Sequence, residues 1–238
     1  MLQLNVALPS GRSETFSLLQ SSKVGDLRVL AQTSCHCGFL RLVTANIDTL
    51  DPGESLQAAG LQDGDHLTAI AIPAKVAATD QAIALWCCGG HRVVTWGNPD
   101  CGGDSSEVKD QLKGVQQVHA NYAAFAAILA DGSVVTWGHP DYGGDSSEVK
   151  DQLKGFQQVH TNSAAFAAIL ADGSVVTWGH AYYGGNSSEV KDQLKSVQQV
   201  HATGRAFVAI LMDGSIVTWG GQSSRIDRSA IAAQVAIF

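Results

Sequence analysis

Five cysteines and eight histidines are the residues of this 238-residue chain best suited to metal or thiol chemistry. Cys35-His36-Cys37 puts two thiols and an imidazole side by side. A structural zinc site needs four ligands, however, and the other cysteine pair, Cys87-Cys88, has unsuitable spacing, so no metal is expected. The odd cysteine count without a regular framework points to reduced thiols. His119, His160 and His201 recur every 41 residues and would form a ring of imidazoles around an axis. No carboxylates of ligand type accompany them, and any residue of a duplicated unit recurs in this way, so they read as strand histidines. Gly102-Gly103-Asp104-Ser105-Ser106 and its copies have the glycine-rich look of a phosphate cradle. The lysine of a P-loop is missing, and a turn leading into a helix cap accounts for the residues better. No cofactor and no catalytic residue are therefore expected, and the chain reads as a non-enzyme.

Composition narrows the partners. Hydrophobic residues are 45% and charged residues 16%, which suits a folded chain. Fifteen Lys+Arg against 22 Asp+Glu give a net charge of −7, so the basic face that nucleic acid requires is not available. No apolar run reaches the roughly 18 residues of a membrane span. The opening MLQLNVALPSGR alternates like a strand and lacks the basic leader of a secretion signal, so a cytoplasmic or nuclear location is expected.

The elements that position the remaining polar residues come from a tandem repeat. VVTWG starts at Val93, Val134 and Val175 and returns as IVTWG at Ile216, placing Trp96, Trp137, Trp178 and Trp219 41 residues apart. Gly97–Trp137 and Gly138–Trp178 share 36 of 41 residues, and Gly179–Trp219 shares 29 of 41 with the second copy. In each copy a β-favouring run, an Asp-Gly step (Asp131-Gly132, Asp172-Gly173, Asp213-Gly214) and the VVTWG run predict a hairpin, because glycine tolerates the positive φ of a tight turn. VQQVHA upstream predicts a third strand. The Gly/Asp/Ser segment after Trp-Gly predicts a loop and one or two helical turns, with Asp104/Glu107, Asp145/Glu148 and Asn186/Glu189 as capping boxes. Four acids, Asp100, Asp104, Glu107 and Asp110, face only Lys109 and Lys113 there, a solvated surface able to attract a basic partner.

A strand-rich period of about 40 to 45 residues predicts a propeller-like array. The order A-x-L-x-DG-S-V-V-T-W-G followed by a Gly-Gly loop resembles the regulator-of-chromosome-condensation repeat over about residues 83–220. That resemblance implies blades of the kind found in guanine-nucleotide exchange factors, HERC-type ubiquitin ligases and a bacterial β-lactamase inhibitor. It also implies that the tryptophans pack between blades. The family usually closes seven blades, whereas here there are three full intervals flanked by degenerate ends, so an open arc is expected whose exposed ends are capped, self-associate or continue in a longer gene product. Variation among the copies falls just after Trp-Gly, at Asn98/His139/His180, Asp100/Asp141/Tyr182 and Cys101/Tyr142/Tyr183, where a binding face is expected.

Residues 1–72 contain no copy of the repeat. LQLNVAL, a turn at Pro9-Ser10-Gly11, SETFSLL, a helix capped by Ser22 with Val24, Leu27 and Ala31 on one face, FLRLV and DHLTAIAI predict ββαββ. This pattern, with RLVTANIDTLDPGESLQAAGLQDGDHLTAIAI, resembles a ubiquitin-like domain. The resemblance implies a β-grasp fold and a partner-binding sheet face at Leu8, Val43, Thr68 and Ile70, with Thr68 where ubiquitin has histidine. No Gly-Gly follows Ile72, so a built-in module is implied, and Pro73–Gln81 reads as linker.

The fold class expected is therefore mainly β: a ubiquitin-like β-grasp domain (1–72), a linker (73–82) and a partial β-propeller array of 41-residue repeats (83–238). The expected function is a non-enzymatic protein-protein adaptor connected to the ubiquitin pathway, its binding residues being the four on the sheet face and Asn98, Asp100, His139, Asp141, Tyr142, His180, Tyr182 and Tyr183 on the repeat loops. The alternatives are a fragment or relative of a HERC-type ligase without its catalytic region, and a small-GTPase exchange factor.

Overall fold

The computed structural model describes residues 1–36, 39–87 and 93–221. Cys37, Cys88 and, of the degenerate ends expected at 85–92 and 221–238, residues 88–92 and 222–238 lie outside these residues. The chain divides into two units, 1–74 and 75–238, and its described residues form five small β-sheets with one α-helix. No helix among them is long and apolar enough to cross a membrane.

The first unit follows from strict alternation. In β1 (Leu2–Ala7) Leu2, Leu4 and Val6 point inward while Gln3 points out. β2 (Ser13–Leu18) pairs antiparallel with it through the turn at Gly11. The helix α1 (Val24–Cys35) lays Val24, Leu27 and Ala31 against the sheet, followed by β3 (Phe39–Val43) and β4 (His66–Ile72). The sheet order is β2-β1-β4-β3 with β1 and β4 parallel, the β-grasp arrangement, in which the helix crosses over one face between the two parallel central strands. Leu4, Leu27 and Leu56 are fully buried, each worth about 1.5–3 kcal/mol relative to exposure. The helix starts one residue later than expected. Lys23, pinned by a bridge to Ser55, is the cap residue, and its N–H donates to Asp26 Oδ2 at 2.8 Å, while the Ser22 carbonyl accepts from Leu56 N–H.

The described residues from Ala74 onward form four three-stranded sheets in chain order: β5 (Ala74–Ala78), β6 (Ala82–Cys87) and β7 (Val93–Gly97); β8 (Val115–Ala120), β9 (Ala124–Leu129) and β10 (Val134–Gly138); β11 (Phe156–Thr161), β12 (Ala165–Leu170) and β13 (Val175–Gly179); β14 (Val197–Ala202), β15 (Phe207–Leu211) and β16 (Ile216–Trp219). The expected linker is corrected here, since β5 occupies most of it and pairs into the first sheet, with Pro73 at its entrance where no ladder N–H is needed. The Asp-Gly steps form the hairpin turns as expected, Gly132 donating its N–H to Leu129 O. The helical turns are three- to six-residue 3₁₀ segments such as Pro99–Cys101 and Ser106–Val108. Capping boxes do not form. Asp104 accepts instead from Ser106 N–H at 2.9 Å, an Asx turn, and Asp145 and Asn186 do the same.

The core of the second unit lies between the sheets. The back face of one sheet (Ala124, Ala126, Ile128, Val134) meets the front face of the next (Phe166, Ala168, Val176, Trp178), with Leu153 of the intervening loop sealing the gap. The equivalent positions build the other two interfaces, the first sheet supplying Ala82, Ala84 and Trp86, with Trp86 where the later sheets have Ile128 and Ile169. Trp137, Trp178 and Trp219 each stack on the phenylalanine opposite, with Phe166 and Trp178 centroids 5.0 Å apart, and donate Nε1–H to the preceding loop: Trp137 to Gly102 O at 3.0 Å, Trp178 to Gly143 O at 3.2 Å, Trp219 to Gly184 O at 3.0 Å. This explains the paired glycines. A Cβ on Gly143 (φ +91) would sit 2.8 Å from the Phe166 ring, and one on Gly144 would fall 2.2 Å from Gly138 O.

Candidate functional site

The outer face of the first unit is set by register. Arg41 pairs with Ile70 and Val43 with Thr68, so these side chains share the face opposite Leu42 and Ala69 of the core. Thr68 is exposed and Ile70 is 44% exposed. Val43 is only 4% exposed, because the turn after it folds back and Thr49 bridges to it. Leu8 is corrected: it continues the inward series Leu2, Leu4, Val6 and belongs to the core, 5% exposed. At the surface, the expected set reduces to Thr68 and Ile70.

The repeat loops present the three varying positions in different ways. Asn98 Oδ1 accepts Asp100 N–H at 3.1 Å, His139 Nδ1 accepts Asp141 N–H at 3.3 Å, and His180 Nδ1 accepts Tyr182 N–H at 3.2 Å. Asn and His place an acceptor at the same point, so this position varies while keeping one capping task, and the two imidazoles carry their proton on Nε2 when neutral. Cys101 is a buried thiol, and burial, then the charges of Asp100 and Asp80, push its pKa up. Tyr142 and Tyr183 are half-buried, edge-on to His139 and His180 at 5.2 Å, and their carbonyls accept from Asn121 and Asn162 Nδ2. Asp100, Asp141 and Tyr182 are exposed. Tyr122, which the sequence reading did not single out, is exposed and stacks on Tyr142 at 5.9 Å, and the charge of Asp80 holds its phenol above the ordinary range. Its copies are Ser163 and Gly204, so repetition gave no signal there.

The three repeated histidines stand on the first strands of consecutive sheets, each Nε2 within 3.2–3.4 Å of the Oε1 of the glutamine two residues earlier. Burial, then the neighbouring imidazole, lowers the pKa of His119 and of His160. Among the described residues, no three His, Cys, Asp or Glu side chains come close enough to hold a metal.

No family model matches this chain, and no curated protein matches it. Among solved structures it is similar to a de novo designed protein based on ubiquitin, at 17% identity over 29% of this chain and 85% of that one, TM-score 0.27. It is also similar to ubiquitin from Caldiarchaeum subterraneum, at 20% identity over 30% of this chain and 94% of that one, TM-score 0.28.

Proposed function

We propose that this chain is a non-enzymatic adaptor that binds other proteins, its first unit serving as a ubiquitin-like interaction module linked to the ubiquitin pathway and its repeats forming a propeller-like array of the chromosome-condensation type, in the cytoplasm or nucleus. One observation carries the reading. The buried residues that join one sheet to the next, Phe, Trp and the Gly-Gly loop, are repeated from copy to copy, whereas the exposed position Asp100/Asp141/Tyr182 on the same loop changes. A constant frame displaying variable side chains is how repeat proteins generate binding surfaces. The test uses the full chain as bait at native salt, beside an Ile70→Asp variant and a triple Asp100→Ala, Asp141→Ala, Tyr182→Ala variant. Retained proteins are expected to separate into those lost with the first variant and those lost with the second. If nothing retained by the parent depends on either surface, the adaptor reading fails.

Self-association belongs to the same proposal. The front face of the first sheet carries Val94, 50% exposed, and Trp96, 46% exposed, while the matching Trp137, Trp178 and Trp219 are covered by the preceding sheet and loop. A second copy covering that face would double the solution mass at micromolar concentration, and Trp96→Glu would restore the monomer mass. A monomer mass for the parent chain removes this part of the proposal.

A further inference from the structure

Among the described residues each sheet of the second unit has three strands, and its last strand lies at an edge. For β10, the bonds from Leu129 N–H to Ser133 O and from His139 N–H to Ala123 O fix which residues face β9: Val135 and Trp137 turn their backbone groups to β9. Val134, Thr136 and Gly138 therefore turn theirs outward, and among the described residues no hydrogen bond reaches those outward groups, although the backbone of Gly144 lies against the Gly138 carbonyl and leaves Val134 and Thr136 as the acceptors open to a further strand. An unpaired edge of this kind is a template for another strand.

The edge lies in a groove of about 600 Å³ lined by all of β10, by the loop before this sheet and by the loop after it. The walls supply Asp100, Asp104, Glu107 and Asp145 against a single Lys150. All five are exposed, and among the described residues none of the four carboxylates is in an ion pair. Asp104 and Asp145 are held ionised to lower pH than usual by the N–H and hydroxyl groups of Ser106 and Ser147. At about 3.4 Å per residue, five extended residues span the length of β10.

We propose that this groove binds an extended, lysine- or arginine-bearing peptide segment of a partner protein, which adds to β10 as a fourth strand while its cations meet the acidic walls. The proposal rests on the protein-binding reading above and specifies its partner chemistry. Backbone pairing at the edge supplies direction and register, and the alternate side chains of the added strand reach toward the two walls. The equivalent wall position in the last repeat is Asn186 where the earlier copies have Asp104 and Asp145, so the next groove along the array has one carboxylate fewer. The first groove is the preferred one.

The test titrates a fluorescein-labelled seven-residue peptide, alternating lysine with valine and threonine, into the full chain and follows anisotropy. Asp104→Asn, Glu107→Gln and Asp145→Asn together remove three charges while keeping the turn acceptors, since Asn186 already accepts Ser188 N–H at 2.9 Å in the same place. Saturable binding is expected, weakened about tenfold in the triple variant. It is expected to be lost when the peptide keeps its charges but carries methyl groups on its internal backbone nitrogens, and hydrogen exchange at Thr136 and Gly138 is expected to slow on binding. Equal binding of the methylated peptide, unchanged affinity in the triple variant, or no binding up to about 1 mM peptide overturns the proposal. The adaptor reading stands or falls separately on the pull-down, because partners held through Ile70 or the loop tips do not need this edge.

Discussion

Gly143→Ala tests the packing that joins one sheet to the next. Gly143 has φ +91, and its added Cβ would lie 2.8 and 2.9 Å from two ring atoms of Phe166 and 3.1 Å from Trp178 Cδ1. Phe166 is fully buried and stacked on Trp178, so neither ring has room to retreat. Alanine at positive φ costs about 1–2 kcal/mol, and overpacking a filled core adds about 1–3 kcal/mol. Gly155→Ala separates the two contributions: Gly155 has φ +66 but nothing within 4 Å of its Cβ position. Equilibrium urea unfolding of the full chain, followed by tryptophan fluorescence, should place Gly143→Ala about 1–3 kcal/mol below Gly155→Ala. Adding Phe166→Leu should recover part of that difference, because the ring causing the clash is gone. If the two alanine variants unfold within about 0.5 kcal/mol of each other, the glycine is not there to admit the ring, and the account of the Gly-Gly loop is wrong.

Trp137→Phe keeps a ring on Phe125 but leaves the Gly102 carbonyl without its donor, so it should lower stability by about 1–2 kcal/mol, whereas Trp96→Phe on the uncovered face should change it by less than about 0.5 kcal/mol in the same urea assay. His119 and His160 titrate below the ordinary histidine value of 6.5, so between their folded pKa and 6.5 the unfolded chain binds more protons. Stability is therefore fully present above about pH 6.5 and falls on acidification through that window, and a His119→Gln, His160→Gln variant should show a flatter dependence of the urea midpoint between pH 7.5 and 5. Ile70→Lys should leave the melting temperature of the first unit nearly unchanged, while Leu8→Lys, which puts an unpaired charge into its core, should destabilise by about 3 kcal/mol or more, both measured by thermal unfolding.

The β-rich repeat was legible because its signals are local. Asp131-Gly132 specifies a tight turn and Val134-Val135-Thr136-Trp137 a strand whatever surrounds them, and both formed as expected. Val24, Leu27 and Ala31 were equally readable, since helical spacing alone puts them on one face. What was not legible depended on distant partners. Ser22 is a good cap by type, but the bridge between Lys23 and Ser55 shifts the helix start. Pro73–Gln81 looks like a linker by composition, yet β6 offers it an edge and β5 forms there. The ubiquitin-like resemblance implies a surface place for Leu8, whereas the alternation of Leu2, Leu4 and Val6 points it inward. The Gly-Gly pair reads as a turn, but its first glycine is required by the Phe and Trp rings of the next repeat, 23 and 35 residues further on, and its second by the backbone of the Trp-Gly glycine six residues earlier, as Gly144 is by Gly138 O.

Frame and display share one loop in this molecule, which constrains how its surface can diverge. In each copy the residue after Trp-Gly caps the 3₁₀ turn, and the next variable aromatic, Tyr142 or Tyr183, offers its carbonyl to Asn121 or Asn162. Asn98 can become His139 because an acceptor remains, but a leucine there would leave the Asp100 or Asp141 N–H without its partner. Of the three positions singled out just after Trp-Gly, the one filled by Asp100, Asp141 and Tyr182 combines exposure with a side chain that forms no hydrogen bond holding the loop to the frame, the ring contact of Tyr182 being with its neighbour Tyr183. At that position an acid gives way to an aromatic ring between the second copy and the third, as Asp145 gives way to Asn186 at the groove wall. A partner engaging several loops at once would meet charge at the first two and an apolar, hydrogen-bonding surface at the third, so salt should weaken its hold on the first two loops more than on the last.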